Sequence, residues 1–336
     1  MGGDIGPESV VPGAAISAIR HPGLSFLLYG DESRIKPVLD QHAALAGRAT
    51  IIHTDSTIAM QDKPSHAIRR GKGSSMWLAL DAVQRGEAAV AVSAGNTGAL
   101  MALARLLLRP VAAIERPAIA ALWPTVKSEA IVLDVGANIG ATASQLCDYA
   151  VMGAAMARAL FQIERPTVGL LNVGVEEIKG ADEVKQAHQW LKERQDLPIS
   201  YQGFVEGDDI GQGAVDVVVV EGFAGNIALK TAEGTARQIG QYLKDAMTRS
   251  VWSKMGAVLA QGGFRVLKQK MDPRRVNGGT FLGLNGLAIK SHGGADAVGF
   301  ASAIDLGYDM AQSGLVRRLA ADIEIFHGKL SATTPQ

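Results

Sequence analysis

The chain has 336 residues, of which 47% are hydrophobic and 20% are charged, and its formal net charge is zero. This length is enough for a large buried core in one or two domains. Neither the neutral charge balance nor the 5% aromatic content favours nucleic acid as a partner. The single cysteine, Cys147, excludes an intrachain disulfide and a multi-cysteine metal site, and it fits a reducing cytoplasm.

No apolar run reaches the roughly 18 residues that a membrane-spanning helix needs, because arginines interrupt the longest candidates. The first residues also lack the pattern of a signal peptide. We therefore expect a cytoplasmic protein without a transmembrane segment.

The first half of the chain alternates between strand and helix patterns. The segment MGGDIGPESV is typical of a turn that leads into a helix, although no strand precedes it. Residues 24–29 and 49–53 are predicted as strands, with Asp31 as the cap of an intervening helix that ends near His42. This alternation predicts an α/β fold with a largely parallel sheet.

A cationic segment, DKPSHAIRRGKGSSM, precedes a helix predicted from Ser74 to about Gly86. It carries two lysines and two arginines in ten residues. Such a segment suits an acidic partner or a phosphate group. The alternative is a solvated surface loop, which the composition alone favours.

Three strand–turn–helix units share one pattern, in which a glycine stands close to an asparagine after an apolar strand. The turns carry Asn96 with Thr97, then Asn138, then Asn226 at the predicted start of a helix. Backbone N–H groups and helix dipoles at such turns bind anions, and we expect the three turns to converge on one crevice. The alternative is three ordinary connections with asparagine as the helix cap.

Two nucleotide motifs are missing from these turns. None of them matches GxxxxGK[ST], and no GxGxxG follows the first strand. The sequence therefore supports neither nucleotide hydrolysis nor a Rossmann dinucleotide site.

Two further strand ends carry basic side chains. Lys179 follows a strand predicted over residues 167–172, and a lysine there suits a phosphate or an oxyanion. Its alternative is a surface lysine beside Glu176 and Glu177, and no metal site is predicted from these acids. A last glycine-rich strand ends at Lys290 and His292, which is expected to bring both to the crevice, although such a histidine is also typical of a structural hydrogen bond.

Residues 244–275 differ in composition from the rest of the chain. They contain eight lysines and arginines against two aspartates, a local charge of +6. Apolar residues recur at helical spacing on both sides of Gly262 and Gly263, which predicts a helical hairpin with an apolar tip. This combination suits adsorption to an anionic membrane, and its alternative is a helical pair buried in a homodimer.

Seven motifs together point to a family. In chain order they are MGGD, KPSHAIRRGKGSSM, SAGNTGALMA, LDVGAN, NVGVEEIKG, EGFAGN and LNGLAIKSHGGAD. The sequence closely resembles, over its whole length, the bacterial acyl-acyl carrier protein:phosphate acyltransferases of the PlsX type. The resemblance implies a layered α/β/α fold with a mostly parallel sheet, like that of phosphotransacetylases and isocitrate dehydrogenases. It also implies one domain over residues 1–330, with a protruding hairpin at about 244–275 and a disordered tail at 331–336.

The resemblance further implies an activity and partners. A homodimer transfers a fatty acyl group from the thioester of acyl carrier protein to inorganic phosphate, without a cofactor, for phospholipid synthesis. It works at the inner face of the membrane, in peripheral contact with anionic lipid and with a membrane glycerol-phosphate acyltransferase. Two alternatives are a phosphotransacetylase-like enzyme that uses acyl-coenzyme A and a non-catalytic membrane or carrier-protein scaffold.

Particular residues match the motifs of the family. Lys179 and Asn226 match its lysine and its asparagine, which implies charge stabilisation by Lys179 and orientation of phosphate or carbonyl by Asn226. Residues in the other shared motifs are assigned to the substrate and phosphate pocket: Asn96, Thr97, Asn138, Lys290 and His292. The hairpin residues expected to contact membrane are Trp252, Met255, Val258, Leu259 and Phe264.

The sequence departs from the family pattern at two points. The family usually has a strand ending in Asp-Ala before Met-Gly-Gly-Asp, whereas this sequence begins at Met1. A strand and an aspartate beside the site are therefore expected to be missing. Glu221 stands where an aspartate is usual, and its longer side chain is expected to shift its contacts.

Overall fold

The computed structural model describes residues 1–111, 113–194, 196–270 and 277–333. The strands are β1 Phe26–Gly30, β2 Ala49–His53, β3 Val90–Ser93, β4 Ala118–Pro124, β5 Glu129–Leu133, β6 Thr167–Leu171, β7 Ser200–Val205, β8 Val217–Val219, β9 Gly279–Leu282 and β10 Leu287–Lys290.

The helices alternate with the strands along most of the chain. They are α1 Pro7–Arg20, α2 Glu32–Leu39, α3 Pro64–Arg70, α4 Ser75–Gln84, α5 Thr97–Leu107, α6 Ala143–Phe161, α7 Asp182–Glu193, α8 Gly207–Gln212, α9 Gly222–Thr248, α10 Val251–Leu259, α11 Gln261–Lys270, α12 Ala297–Ser313 and α13 Leu315–Thr333, with a 3-10 turn at Ala43–Leu45.

The main sheet is mixed and mostly parallel. Its eight strands follow the order β3-β10-β9-β4-β5-β8-β6-β7, and β1 and β2 form a separate parallel pair. Strands β9 and β4 are antiparallel to both of their neighbours, whereas the other adjacent strands are parallel. It follows that β5, β8, β6 and β7 point in the direction opposite to β3 and β10.

Because of this reversal, parallel strands end at both of two opposite edges of the sheet. We call the edge at which β5, β8, β6 and β7 end the lower edge, and the edge at which β3 and β10 end the upper edge. Strands of four or five residues separate the edges by roughly 13–17 Å. The turns that carry Asn138 and Asn226 therefore lie at the lower edge, whereas the turn that carries Asn96 lies at the upper edge. Their convergence on one crevice stays a prediction.

Helices cover both faces of the sheet, which confirms the layered α/β/α prediction. On one face, α6, α12 and α13 pack over the sheet, and most residues of α6 are apolar and buried. On the other face, α4, α5 and α9 pack over β8, β4 and β9. The β-branched run of β8 is fully buried between the two layers, as its sequence predicted.

The structure adds elements that the sequence pattern did not reveal. Strands β4, β7 and β9 were not predicted, and the single strand expected near the C-terminal end is an antiparallel β9–β10 pair. Helix α9 extends to Thr248, into the range predicted for the hairpin, 244–275. Gly262 and Gly263 lie inside α11, and the break falls at Ala260 instead.

Two predicted segments extend past the described residues. Residues 271–276, at the end of the hairpin, lie outside the described ranges, and so do residues 334–336 of the predicted tail. Helix α13 continues to Thr333, three residues into that tail.

A cavity of about 420 Å³ separates the β1–β2 pair from the main sheet. It is lined by β1 and β3, and, among the described strands, neither pairs with another on this side. The amino group of Met1 is buried beside it, and this burial lowers the pKa of the amine.

Candidate active site

Asp134 organises the turn that follows β5. Its side chain is fully buried, and its carboxylate accepts hydrogen bonds from the N–H groups of Ile119, Gly136, Ala137 and Asn138. Burial raises the pKa of Asp134, and these four hydrogen bonds oppose that rise. The backbone N–H groups that were expected to bind an anion are thus occupied by a carboxylate of the chain itself.

Asn138 faces the interior from the same turn. Its Nδ2 lies 2.9 Å from the carbonyl of Pro117, 3.0 Å from Oδ2 of Asp134 and 3.1 Å from the hydroxyl of Tyr149 on α6. These contacts fasten the turn to the core. Its amide donors are therefore engaged within the protein.

The third turn starts its helix earlier than predicted. Helix α9 begins at Gly222 with Glu221 as its N-cap, so the prediction that Asn226 begins the helix is wrong. The Glu221 carboxylate accepts from the N–H groups of Phe223 at 2.9 Å, Ala224 at 2.6 Å and Gly140 at 3.1 Å. An acidic side chain competes better for the free N–H groups of a first turn than an amide one turn later.

Asn226 lies one helical turn into α9, and its side chain connects α9 to the turn that follows β5. Its side chain is exposed, and its Nδ2 donates to the carbonyl of Val135 at 3.2 Å. Gly136 has a φ of 129°, and a Cβ there would lie 2.7 Å from that nitrogen, so the close approach requires glycine. Among the described contacts, one N–H and the carbonyl oxygen of the amide stay available to a ligand.

Lys179 lies in the loop that follows β6, and β6 is adjacent to β8 in the sheet. Asn172 closes this loop by donating to the carbonyls of Gly174 and Lys179, each at 3.1 Å. The ammonium of Lys179 is exposed and lies 2.9 Å from Glu176, and this pairing raises the pKa of Lys179. A solvated pair of this kind is weak, so an anionic substrate can replace the carboxylate.

Asn96 performs a structural task at the upper edge. Its Oδ1 accepts from the N–H of Ala99 and caps α5, while its Nδ2 donates to the carbonyls of Met60 at 2.7 Å and Asp62 at 2.9 Å. It therefore holds the segment before α3 against the start of α5. Thr97 is exposed as the first residue of α5.

Lys290 is largely buried at the end of β10. Its Nζ donates to the carbonyls of Ala94 and Ser291. Burial lowers the pKa of Lys290 to about 8, with a further lowering from Lys230 and an opposing effect of Asp4. The influence of Lys230 shows that α9, which starts at the lower edge, passes near the upper one.

His292 is exposed two residues later. Its Nδ1 accepts from the N–H of Gly294 at 3.1 Å, so the ring proton resides on Nε2 in this arrangement. Its backbone N–H donates to Asn277. The structure thus places Lys290 and His292 at the end of β10, whereas Asn226 and Lys179 follow strands β8 and β6.

Two residues of the lower edge were missed by sequence reasoning. Asp134 and Asn172 each follow directly on a buried strand and bind backbone groups of the turn that comes next. A polar residue at the end of an apolar strand was a usable signal for both. Their partners are backbone atoms, however, and these leave no trace in the sequence.

Neither Cys147 nor the possible metal ligands of the chain are assigned a role at this edge. Cys147 is fully buried, which raises the pKa of its thiol and fits the interpretation of a core residue. Within the described residues, Asp31, His53 and Asp55 could hold a metal ion. Asp31 caps α2, and Nδ1 of His53 accepts the N–H of Glu32, so these two side chains already have local partners.

The hairpin forms a second distinct surface. Trp252 is 80% exposed and Leu259 is 88% exposed, and Met255 and Val258 are exposed beside them, whereas Phe264 is half-buried. Within the described ranges, no helix is both long enough and apolar enough to cross a bilayer. The four exposed apolar residues all lie on α10.

Comparisons with known proteins identify the family. A family model described as "Fatty acid synthesis protein" matches residues 1–318. A phosphate acyltransferase of Rhizobium rhizogenes is 59% identical over 330 residues, covering 98% of this chain and 95% of the relative. The chain belongs to the PlsX-type phosphate acyltransferase family. A phosphate acyltransferase of Xanthobacter autotrophicus is 62% identical over 320 residues, covering 95% of this chain and 90% of that relative.

Solved structures agree on the fold of this acyltransferase. A phosphotransacetylase from Streptococcus pyogenes superposes with a TM-score of 0.55 at 18% identity and covers 95% of this chain and 93% of its own. The EutD phosphotransacetylase from Staphylococcus aureus gives a TM-score of 0.52 at 15% identity over 90% and 99% of the two chains. The predicted likeness to phosphotransacetylases is confirmed at the level of the fold.

Proposed function

We propose that this acyltransferase moves a fatty acyl group from the thioester of acyl carrier protein to inorganic phosphate, which yields an acyl phosphate for phospholipid synthesis. The observation that carries the proposal is the pairing of family membership with two available polar groups at the ends of adjacent strands. Lys179 follows β6 and Asn226 follows β8, and neither side chain is buried. Acid-base residues are not needed, because phosphate is already ionised at neutral pH.

The reaction balances without a cofactor. A phosphate oxygen attacks the thioester carbonyl carbon and forms a C–O bond, and the carbonyl oxygen becomes an oxyanion. The C–S bond then breaks, and the thiolate of the carrier leaves and takes a proton from solvent. Two anions must approach each other, so catalysis consists of positioning and charge stabilisation.

Lys179 and Asn226 supply these two effects in our proposal. The pKa of Lys179 is raised, so the ammonium stays charged and stabilises the phosphate and the oxyanion. The amide of Asn226 is held by Val135 and orients phosphate or the carbonyl. Asn96 and Asn138 contribute by shaping their turns.

The upper-edge residues are competitors for the phosphate position. Thr97, Lys290 and His292 offer a hydroxyl, an amine and an imidazole at one edge of the sheet. The lowered pKa of Lys290 makes it a weaker fixed cation than Lys179 near pH 8. We therefore place the reaction at the lower edge.

Thioester turnover with and without phosphate tests the function. Acyl phosphate, trapped as the hydroxamate, is expected only when inorganic phosphate and acyl-carrier-protein thioester are both present. Faster turnover of acyl-coenzyme A than of the carrier thioester would favour a phosphotransacetylase-like enzyme. Carrier binding without acyl phosphate would favour a scaffold.

We also propose that the hairpin of α9, α10 and α11 brings the acyltransferase to the inner face of the membrane. Its exposed Trp252, Val258 and Leu259 supply apolar insertion, and its +6 charge favours anionic lipid. A homodimer and a membrane glycerol-phosphate acyltransferase that consumes the product complete the proposal. An acyl phosphate released at the bilayer reaches such an acyltransferase without crossing much water.

A further inference from the structure

The segment around α3 concentrates positive charge on a neutral protein. Lys63, Arg69, Arg70 and Lys72 are all exposed. None of the ion pairs formed among the described residues includes any of the four. The acid of this segment, Asp62, is occupied in a turn, where it accepts the N–H of Ala59 at 2.8 Å. The charge is therefore available to a partner.

This cationic surface is held firmly by the fold. Ala67 of α3 is buried, and α3 packs along α5. Asn96 fastens the preceding segment through the carbonyls of Met60 and Asp62. A partner therefore meets a surface that is already ordered, which lowers the entropic cost of binding.

Apolar side chains lie among the cations. Met60 is 39% exposed and Ile68 is 46% exposed, and both belong to the same short segment. Exposed apolar side chains close in sequence to cations without an ion pair among the described residues are typical of a protein interface. A free phosphate instead needs donors that converge on one point, whereas here they are spread along an exposed helix.

We propose that α3 and its flanking residues, 60–72, dock an acidic protein surface, and that this surface belongs to the acyl carrier protein. The inference rests on the proposed function for the identity of the carrier, and on charge complementarity for the site. Attraction between opposite charges speeds encounter and orients the thioester arm toward the sheet. Since α3 packs on α5, the docked carrier lies over the face that α5 shares with α9.

Charge reversal with a matched control tests the docking surface. The variant is Arg69→Glu with Arg70→Glu, and the control is Arg317→Glu with Arg318→Glu, an exposed arginine pair on α13 over the opposite face of the sheet. Each double substitution changes the net charge by the same amount. KM for the carrier thioester, KM for phosphate and the Kd of apo-carrier protein are measured at low and high salt.

For the α3 variant we expect the KM for carrier thioester and the Kd of apo-carrier to rise by about tenfold or more at low salt, and by less at high salt. The control pair is expected to change either value by less than about twofold. KM for phosphate and turnover of an acyl-pantetheine thioester should stay at wild-type values. The variant Arg69→Gln with Arg70→Gln gives the same direction with a smaller change, should charge reversal unfold the helix.

Three outcomes overturn the proposal. A raised KM for phosphate with unchanged carrier binding would assign α3 to small anions. Equal effects of the α3 and α13 variants would mean that residues 60–72 are an ordinary solvated surface. Loss of binding to anionic vesicles alone would mean that residues 60–72 bind lipid. If the wild-type protein made no acyl phosphate, the proposed function would fail, yet the Kd of apo-carrier would still decide the docking surface.

Discussion

The two edges of the sheet use the same residue types in opposite ways, and their lysines show it most clearly. At the lower edge, Lys179 is exposed and paired with Glu176, which raises its pKa. At the upper edge, Lys290 is largely buried and donates to carbonyls, and burial lowers its pKa to about 8. One ammonium is a solvated, fixed charge that a substrate can take over, whereas the other is a group whose charge the fold disfavours.

The carboxylates sharpen the contrast between the edges. The carboxylates of Asp134 and Glu221 accept hydrogen bonds from the N–H groups of two lower-edge turns, whereas the upper-edge turn is capped by the neutral Asn96. A glycine–asparagine pattern therefore does not identify an anion site by itself. It identifies a tight turn, and the side chain that caps the turn decides whether its N–H groups are free.

The largest expected effect is on stability. Asp134→Ala removes the acceptor for four backbone N–H groups in the interior, so we expect a loss of about 3–5 kcal/mol in the free energy of unfolding. Asn96→Ala, the corresponding change at the upper edge, removes one helix cap and is expected to cost about 1–2 kcal/mol. Urea unfolding of both variants gives the comparison, and equal losses would contradict the different roles of the two turns.

The next effect is on catalysis. Lys179→Ala and Asn226→Ala are each expected to lower kcat by about 10² or more with the fold intact, the range for losing one oxyanion contact. Lys290→Ala and His292→Ala should lower kcat by less than about tenfold. Steady-state rates at saturating phosphate measure this, with Lys36→Ala as the control for an exposed, ion-paired lysine away from both edges. Near-normal rates in both lower-edge variants would move the reaction to the upper edge.

The sequence predicted the layers and most strand ends because β-branched runs and helix signals are local. It did not predict that strands end at two opposite edges of the sheet. The direction of β5 depends on its antiparallel pairing with β4, a strand that the pattern AIAALWP did not reveal. The predicted start of α9 was wrong for a similar reason. Both Glu221 and Asn226 are compatible with a helix start, and only the contact of Glu221 with Gly140, 81 residues earlier, distinguishes them.

The two ends of α9 provide a third comparison. Val258→Glu with Leu259→Glu, in the hairpin beyond α9, should release the protein from anionic vesicles, because the change removes insertion and adds repulsion. Turnover of soluble carrier thioester should stay within about twofold, since the reaction is placed at the start of α9. Vesicle flotation and size-exclusion chromatography are the measurements. Retained vesicle binding with loss of the dimer would assign the hairpin to the subunit interface.

The smallest expected effect is the pH dependence that Lys290 confers on stability. Its pKa is about 8 in the folded protein and 10.5 when unfolded, so the unfolded chain binds more protons between these values. Below pH 8 both states carry the proton, and the cost of burying the charge is fully present. As the pH rises from 8 to 10.5 that cost disappears, and stability rises by about 1–3 kcal/mol relative to a variant that lacks the amine.

The variant Lys290→Met isolates this contribution, because the titrating groups that do not interact with Lys290 cancel in the difference from wild type. The free energy of unfolding is measured for both proteins at pH 7, 8, 9 and 10. The stability of the wild type relative to the variant should rise only above pH 8. Lys179→Met serves as the matched control. The raised pKa of Lys179 places its titration above 10.5, so its difference curve should stay flat over the same range. A flat curve for Lys290 as well would mean that its ammonium is solvated, and the upper edge would then offer phosphate a fixed cation equal to that of the lower edge.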